Sequence, residues 1–502
     1  MGWYKIHASL PTRAVLIGSL LGIGFIYPVL WWLGWGGVIL FFWDLQRCHH
    51  TLRSAALLGG IGWLVKAALV LVWTWSVYPI DWLPISLGQW ELLIIAIYWL
   101  TAALWLSVGG VAFGVIMHIL SVRNWWIAPI AWLLAELLGA ASFSLFTYGP
   151  GGQLSGALSF GFIGYLAAQH PVLLMVAQWG GVYVLSVLYV AIGYGGWLLV
   201  QKYHSRGVVG VGVVMVLVGA TYYLSLFTAA PLADEWLAGA TVAVIETDLP
   251  TGASTISDDV RRAQLTDAIQ TAQAAGATHV LLPEDMRWLS ASESIAQQHA
   301  FYRFAHNLTG IQIIDSGRRD VEGFGTVLRG IVLDTNTKQE FQVDKQYLVP
   351  QGEYIPTLHH LFLLRLAQPA ITAALEKHIS YRPGPLYSQS DWPTTTPRIL
   401  FCYESVDPLG VRRLVQGQTV PFVVHPISHA WFHSPHILWQ QLDTMLRVQA
   451  VWNQTTIIST GNLSPGKLYA PDGSILLPEY IAAGDWWRVG LFTASTTSVA
   501  LE

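Results

Sequence analysis

Hydrophobic positions divide the chain into two unlike parts. Up to about residue 229 the apolar runs are long, and several approach the roughly 20 residues with which a helix crosses a bilayer. Few basic residues interrupt them: Lys5, Arg13, Arg47, Arg53, Lys66, Arg123, Lys202 and Arg206. We therefore predict a transmembrane helical bundle over residues 1–229, with seven spans at residues 12–28, 30–45, 54–76, 91–120, 124–147, 172–200 and 207–228.

The count of spans depends on the first long run. This run, from Ala14 to Trp43, is interrupted only by Pro28 and could form one helix or two. With two helices and a cytoplasmic start, the basic residues that flank the spans all lie on the cytoplasmic side, as the positive-inside rule requires. We expect a retained N-terminal anchor in a multi-pass protein of a bacterial inner (cytoplasmic) membrane, with the chain beyond residue 230 on the periplasmic side.

Beyond residue 230 the pattern changes to short apolar runs that alternate with amphipathic stretches. TVAVIE at residues 241–246 reads as a buried strand, and residues 257–276 read as a helix with Ser257 as its N-cap and Gly276 after its end. Such alternation is typical of an α/β domain, which we place at residues 230–490. The remaining tail, residues 491–502, is too short and too polar for an eighth span.

Composition supports this division and excludes one class of partner. The chain has 502 residues, of which 53% are hydrophobic, 11% are charged and 25 are Trp. Such a composition indicates that much of the chain lies in lipid. The net charge of -4 shows no basic excess, so we expect no nucleic-acid partner. With Cys48 in a cytoplasmic loop and Cys402 in the outer domain, we expect no disulfide between them.

Three stretches of the outer domain carry candidate chemistry. Cys402 follows the apolar run Ile399 to Phe401, Glu284 follows Pro283 after another apolar run, and Lys345 lies in DKQYLVPQGEYIP, which also contains Glu353. A carboxylate can take the thiol proton, a cation can stabilise the thiolate and an oxyanion, and sulfur can attack an acyl carbon. Spacing alone leaves the simpler interpretation open, in which the cysteine is a core residue and the charges lie at the surface.

These motifs resemble the nitrilase, or carbon-nitrogen hydrolase, superfamily. They are most similar to its membrane-bound branch, the bacterial apolipoprotein N-acyltransferases. The resemblance implies an αββα sandwich fused to a membrane bundle, with Glu284 as general base, Lys345 as oxyanion-stabilising cation and Cys402 as nucleophile. It also implies supporting roles for residues near these three, namely Glu353, Tyr403 and Glu404. The resemblance rests on APIAWLLAE, GVYVLS, PED, DKQYLVPQGEYIP, YRPGP, CYE and SHAWFHSPHILWQQ.

The family's reaction supplies an expected function. A membrane phospholipid would donate a fatty acyl chain to Cys402 as a thioester, and the N-terminal amine of a diacylglyceryl-cysteine lipoprotein or lipopeptide would accept it. Both substrates are held in the lipid bilayer, so a membrane anchor suits the reaction. The resemblance implies no metal and no organic cofactor.

Several departures indicate a divergent member. Ser428 and His429 replace the first two residues of the family's NDAWF, and residues 448–451 read VQAV where an ungapped alignment from Trp439 has RALE. No arginine follows shortly after Glu136. The segment SHAWF nevertheless suggests that His429, Trp431 and Phe432 shape the acyl pocket.

Some polar residues have open roles. Lys66 and Glu136 are costly within membrane spans, so each should face the bundle interior, a partner or water. Residues 149–170 are glycine-rich and without charge, which suggests a loop or re-entrant segment at the outer surface that admits lipid. Histidines at 425, 429, 433 and 436 have a spacing that a metal site could use, but prolines at 426 and 435 argue against one helix that carries all four.

Two other functions remain open from the sequence. A membrane-tethered amidase or nitrilase-like hydrolase would use the same triad with water as acceptor. A non-catalytic paralogue in a membrane assembly, such as one for conjugation, would fit the lost RALE, although it has no use for Glu284, Lys345 and Cys402 together.

Overall fold

A computed structural model gives the architecture. It describes residues 9–47, 51–83, 88–120, 126–203, 234–237, 239–250, 256–289, 305, 308–366, 369–433, 435–493 and 496. All nine candidate site residues lie within these ranges, whereas the seventh predicted span, residues 207–228, lies outside them.

The N-terminal part is helical. Its α-helices are α1 (Leu10–Gly22), α2 (Leu33–Arg47), α3 (Leu52–Val70), α4 (Glu91–Ile119), α5 (Ala128–Phe146), α6 (Gly164–Ala167), α7 (Pro171–Leu174) and α8 (Gly181–Tyr203). Short 3-10 turns join them at Ile23–Phe25, Pro28–Leu30, Val72–Val77, Gly88–Trp90 and Met175–Trp179. In the part of the chain that the structure describes, four helices are long and apolar enough to cross a membrane. They are α3, α4 together with the turn that precedes it (Gly88–Ile119), α5, and α8.

Most of the predicted spans correspond to these helices, with changed ends. The first run forms two separate helices, because α1 ends at Gly22 and Pro28 opens a short 3-10 turn before α2. Helix α3 ends at Val70, earlier than predicted, because the chain tightens into the 3-10 turn Val72–Val77. Helix α8 begins only at Gly181, after short helical turns. The total of seven spans stays a prediction.

Small residues let the bundle helices approach closely. A Cβ atom added to Gly59 of α3 would lie 2.1 Å from the carbonyl oxygen of Gly110, and one added to Gly109 would lie 2.0 Å from that of Ala135. The backbones of α3, α4 and α5 are therefore in direct contact, as is common where helices pack in lipid without a hydrophobic driving force between them.

The second part contains strands and helices in alternation. Its helices are α9 (Asp234–Leu237), α10 (Asp258–Ala274), α11 (Thr357–Leu366), α12 (Pro369–His378), α13 (Gly410–Val415) and α14 (His436–Asn453). Its strands are β1 (Val242–Thr247), β2 (His279–Leu281), β3 (Gln312–Val321), β4 (Gly325–Asp334), β5 (Gln339–Asp344), β6 (Arg398–Ile399), β7 (Val423–Ser428), β8 (Ile457–Asn462), β9 (Lys467–Tyr469), β10 (Ile475–Leu476), β11 (Glu479–Ala483) and β12 (Trp487–Phe492).

Helix α10 illustrates how well local signals define an element. The Ser257 hydroxyl accepts a hydrogen bond from the Val260 amide, as expected of an N-cap. Gly276 has φ +87°, the left-handed conformation that glycine adopts most easily after a helix end. The predicted start and stop of this helix are confirmed.

Within the described residues the strands form one mixed sheet. Its main path runs β10-β9-β8-β1-β2-β3-β4-β5; β12 pairs with β1 and β11, and β7 pairs with β8 and β6. Strands β1 and β8 are joined by a single residue pair, Thr247 with Asn462. This narrow junction links two halves of the sheet, each with its own covering helices.

Alternating side chains show that the two halves stack face to face. Val244 and Ile458 belong to one shared core, whereas their neighbours Ile245 and Ile457 belong to separate outer cores. One outer core includes Leu265 of α10, and the other lies beneath α13 and α14. The layers are therefore helix, sheet, sheet and helix, which confirms the predicted nitrilase-like αββα sandwich.

The two parts are joined by polar contacts. The Tyr354 hydroxyl donates to the carbonyl oxygen of Thr147 at 2.7 Å, and Gln441 of α14 donates to the carbonyl oxygens of Phe25 and Val70 at 3.3 and 2.9 Å. Because these acceptors lie at the ends of bundle elements, one end of the bundle lies against the sandwich.

Candidate active site

The three triad candidates each lie just beyond a strand end. Glu284 follows β2, Lys345 follows β5, and Cys402 opens the short 3-10 turn Cys402–Val406 that follows β6. The strands fix the backbone on one side, and the turns that follow bring the side chains to the sheet edge. The structure brings all three together.

Lys345 is the centre of the arrangement. Its ammonium group donates to Glu284 Oε1 at 2.9 Å and to Glu353 Oε1 at 2.8 Å, and its side chain is fully buried. Burial disfavours the charge, but the carboxylates of Glu284 and Glu353, with a contribution from Cys402, outweigh it and raise the pKa of Lys345 well above its ordinary value. Lys345 is therefore a permanent cation in this site.

Glu284 has the electrostatic character of a proton acceptor. Burial raises the pKa of this carboxyl to about 7; Lys345 opposes the increase and Glu353 adds to it. A base with a pKa near neutrality can both take up and release a proton. Two residues in left-handed conformation follow it, Asp285 at φ 60° and Arg287 at φ 59°, and their ion pair holds this turn.

Cys402 is the free thiol of the described residues and is partly exposed. Burial and the charge of Glu284 raise the pKa of this thiol, whereas Lys345 and a hydrogen bond from the backbone N–H of Ser428 lower it. Because the increase prevails, the resting sulfur carries its proton. A nucleophilic thiolate would then form only with a nearby base, and Glu284, whose charge acts on the thiol, is the candidate base by its pKa.

Two further carboxylates support the site through the backbone. Glu353 uses one oxygen for Lys345 and the other to accept from the Val349 amide at 2.8 Å. Glu404 accepts from the Gln346 amide at 2.8 Å and from the Phe401 amide at 3.1 Å. Since these amides adjoin Lys345 and Cys402, Glu404 ties the two chain segments together.

Aromatic residues near the site pack against the helical bundle. Trp431 stacks on Trp82, with ring centroids 5.5 Å apart, and Phe432 meets Trp73 edge to face at 5.6 Å. Tyr403 packs against the core of the bundle. The predicted role of Trp431 and Phe432 in an acyl pocket stays a prediction; the structure places both at the contact between sandwich and bundle.

The structure does not bring His429 to the triad contacts. Its Nδ1 accepts from Trp439 Nε1 at 2.7 Å, in the layer between β7 and α14. His425 lies closer, with Nε2 3.2 Å from the carbonyl oxygen of Cys402. The four histidines diverge, since His433 contacts the Pro79 carbonyl oxygen of the bundle. Among the described residues, no group of three or more His, Cys, Asp or Glu side chains could hold a metal ion.

Two groups near the thiol have no signal in the sequence as site residues: the Ser428 amide and His425. The resemblance implies a supporting role for Glu404, but its contacts with the Gln346 and Phe401 amides depend on where distant loops meet. The position of His425 beside the Cys402 carbonyl follows from the parallel pairing of β6 with β7.

The chain is similar to known proteins in sequence and in part of its structure. No family model matches the chain. An apolipoprotein N-acyltransferase of Prochlorococcus marinus is 23% identical over 489 residues, covering 91% of this chain and 86% of that relative. Among solved structures, amidases of the nitrilase superfamily from Nesterenkonia are similar to the sandwich: one is 16% identical, with TM-score 0.34, and covers 51% of this chain and 93% of the amidase. A second is 15% identical, with TM-score 0.33.

Four helices of membrane-spanning length and the layered sandwich define a membrane protein with a nitrilase-like α/β domain. Over 91% of its length the chain is similar in sequence to an apolipoprotein N-acyltransferase, at 23% identity.

Proposed function

We propose that this protein transfers a fatty acyl chain from a membrane phospholipid, through a thioester on Cys402, to the N-terminal amine of a diacylglyceryl-cysteine lipoprotein. The observation that carries the proposal is the convergence of Glu284, Lys345 and Cys402 from three separate strand ends at the end of the sandwich that meets the bundle. A core thiol or surface charges would have no reason to converge there.

The first half-reaction starts from the neutral thiol. Glu284 takes the thiol proton, and Cys402 Sγ attacks the carbonyl carbon of an acyl ester. Lys345 and nearby backbone N–H groups stabilise the negative charge that forms on the carbonyl oxygen. When the C–O bond of the ester breaks, Glu284 returns its proton to the leaving alkoxide. The products are a lysophospholipid and an acyl thioester on Cys402.

The second half-reaction uses the same groups. The free α-amine of the acceptor attacks the thioester carbon, and Glu284 accepts a proton from the nitrogen. As the C–S bond breaks, that proton returns to the sulfur. The product is an amide, and the enzyme is back in its starting protonation state. These steps require no metal or cofactor.

The position of the site suits substrates that reside in a bilayer. Trp431, Phe432 and Tyr403 place the site beside apolar helices, so both substrates would reach it by lateral diffusion. We place the sandwich on the periplasmic side of a bacterial inner membrane, which the basic residues that flank the predicted spans support.

The direct test is mass spectrometry of the purified full-length protein after incubation with phosphatidylethanolamine. We expect an acyl adduct on the peptide that contains Cys402, and none in Cys402→Ala. Cys48→Ala is the matched control, since it removes the other cysteine of the chain and should leave the adduct unchanged. An adduct that persists in Cys402→Ala, or its absence from the wild-type protein, would overturn the proposal.

Addition of a synthetic diacylglyceryl lipopeptide separates transfer from hydrolysis. An acyltransferase yields N-acylated lipopeptide and lysophospholipid in equal amounts. Release of free fatty acid with unmodified lipopeptide would instead identify a hydrolase with the same triad. A protein that forms neither product would be the non-catalytic paralogue.

A further inference from the structure

A buried ion pair lies inside the bundle. Lys66 of α3 donates to Glu136 Oε1 of α5 at 3.2 Å, and both side chains are almost fully buried. The Lys66 ammonium also lies 4.9 Å from the ring centroid of Trp63 and 5.6 Å from that of Trp132. A charged pair inside apolar surroundings is expensive and frequently marks a functional element.

The Glu136 carboxylate accepts hydrogen bonds from other groups besides Lys66. Its Oε1 also accepts from the indole N–H of Trp132 at 3.1 Å and from the backbone N–H of Ile163 at 2.7 Å. Its Oε2 accepts from the Ser186 hydroxyl at 2.8 Å, and that hydroxyl in turn accepts from the Gly164 amide at 3.0 Å. Glu136 therefore fixes the end of the glycine-rich loop, residues 149–163, in the bundle.

The same loop reaches the turn that carries the thiol. Ser159 donates to the carbonyl oxygen of Val406 twice, from its amide at 3.2 Å and from its hydroxyl at 2.6 Å. The Ser159 hydroxyl also lies 2.8 Å from that of Tyr165. Val406 is the last residue of the 3-10 turn Cys402–Val406, which begins with the thiol. Three residues of the loop, 160–162, lie between Ile163, which Glu136 holds, and Ser159, which holds this turn.

We propose that Glu136 is a positioning residue for Cys402. It holds the glycine-rich loop at Ile163, the loop holds the turn Cys402–Val406 through Ser159, and the turn sets the place of the sulfur beside Glu284. The inference rests on the proposed role of Cys402. It gives the intramembrane ion pair a task in the reaction, although neither charge touches substrate.

The physical case depends on the number of donors that converge on one carboxylate. Lys66, Trp132, Ile163 and Ser186 all present N–H or O–H groups, and only a group with acceptor oxygens alone can satisfy all four. An amide would turn an N–H donor toward one of them. Lys66 supplies the positive charge without which an ionised carboxylate would not remain buried.

A double-mutant cycle between Glu136→Gln and Ser159→Ala tests the link. The readout is the second-order rate of Cys402 alkylation by iodoacetamide, followed on the Cys402 peptide, together with the rate of acyl-enzyme formation from phospholipid. We expect each single variant to lower both rates about tenfold, which corresponds to about 1.4 kcal/mol in an activation barrier. If one path carries both effects, the double variant should be no slower than the slower single variant.

Controls separate this role from general stability. Ser107→Ala removes a buried serine hydroxyl that, among the described residues, donates to the Leu104 carbonyl oxygen within α4, and it should leave both rates unchanged. Lys66→Met with Glu136→Gln removes both charges and tests folding without an unpaired ion. Multiplicative rate losses in the cycle, or normal alkylation in a folded Glu136→Gln protein, would overturn the inference. Alkylation needs no lipid, so failure of acyl transfer in the wild-type protein would leave this test intact.

Discussion

The ammonium group of Lys345 lies 2.9 Å from Oε1 of Glu284, although the two residues are 61 positions apart in sequence. This contact gives Glu284 a neighbour that favours its ionised form, while burial favours the neutral form. The balance sets the pKa of Glu284 at about 7, and Cys402 remains a protonated thiol. The pH dependence of the reaction should therefore report the carboxyl and not the sulfur.

We predict that acyl-enzyme formation rises with pH through an apparent pKa of about 7. Glu284 must be ionised to accept the thiol proton, so the rate falls as pH drops below that value. Single-turnover acylation rates between pH 5.5 and 9 would measure this rise, the acidic limb of the pH–rate profile. Glu284→Gln should lose at least about a hundredfold in rate, the ordinary contribution of a general base. If Glu284→Gln keeps the same pH dependence, a group other than Glu284 is responsible for it.

Lys345→Met should shift the acidic limb of the pH–rate profile to higher pH. Lys345 lowers the pKa of Glu284, and Glu353 raises it, so loss of the cation shifts the limb to higher pH. The variant should also lose acylation rate at every pH, because the oxyanion loses its cation. Adding Glu353→Gln to Lys345→Met removes the neighbouring negative charge and should bring part of the limb back toward neutrality. A limb at the wild-type pH in Lys345→Met would contradict the coupling.

Glu404→Gln should damage the geometry of the site, while Glu284, Lys345 and Cys402 themselves are left unaltered. Glu404 accepts from the Gln346 and Phe401 amides, and an amide side chain would turn an N–H group toward one of these donors. An unsatisfied buried donor costs about 1–3 kcal/mol. We expect a lower thermal midpoint and a lower acylation rate, with little change in phospholipid KM.

Glu376→Gln is the matched control for the Glu404 variant. Glu376 is half-exposed and contacts the surface residue His360, so its replacement should change neither the midpoint nor the rate. Equal effects of the two substitutions would refute the role of Glu404 in joining the Gln346 and Phe401 segments.

Two buried histidines should make the fold sensitive to acid. Burial lowers the pKa of His425 to about 4 and that of His429 to about 3. Below pH 6.5 the unfolded chain takes up protons that the folded protein excludes, so stability falls as pH decreases and levels off only below those values. Each histidine contributes up to about 1.4 kcal/mol per pH unit in that window.

Thermal unfolding of the full-length protein between pH 7.5 and 4.5 measures this acid effect. His425→Gln should flatten the dependence, because glutamine cannot be protonated while its amide can still donate to the Cys402 carbonyl oxygen. His429→Gln should flatten it to a similar extent. Wild-type slopes in both variants would show that other groups govern acid stability.

Sequence alone identified most of the elements and the candidate site residues at their ends. The apolar runs identified the helices of the bundle, and Ser257 and Gly276 marked the start and stop of α10. Both signals are local: burial periodicity and capping act within a few residues. The ends of α3 and α8 were misplaced, because short 3-10 and helical turns extend apolar runs without continuing the helix.

Only the tertiary structure decided how these elements meet. Folding of the sheet onto itself brings the ends of β2, β5 and β6 together, and this sets the pKa values of Glu284, Lys345 and Cys402. Packing of the sandwich on the bundle joins Glu136 to the turn of Cys402 through Ser159. The sequence determined which groups are present, because residue type fixes charge and hydrogen-bonding capacity. Their distances, burial and shared partners arise from contacts between residues far apart in the chain.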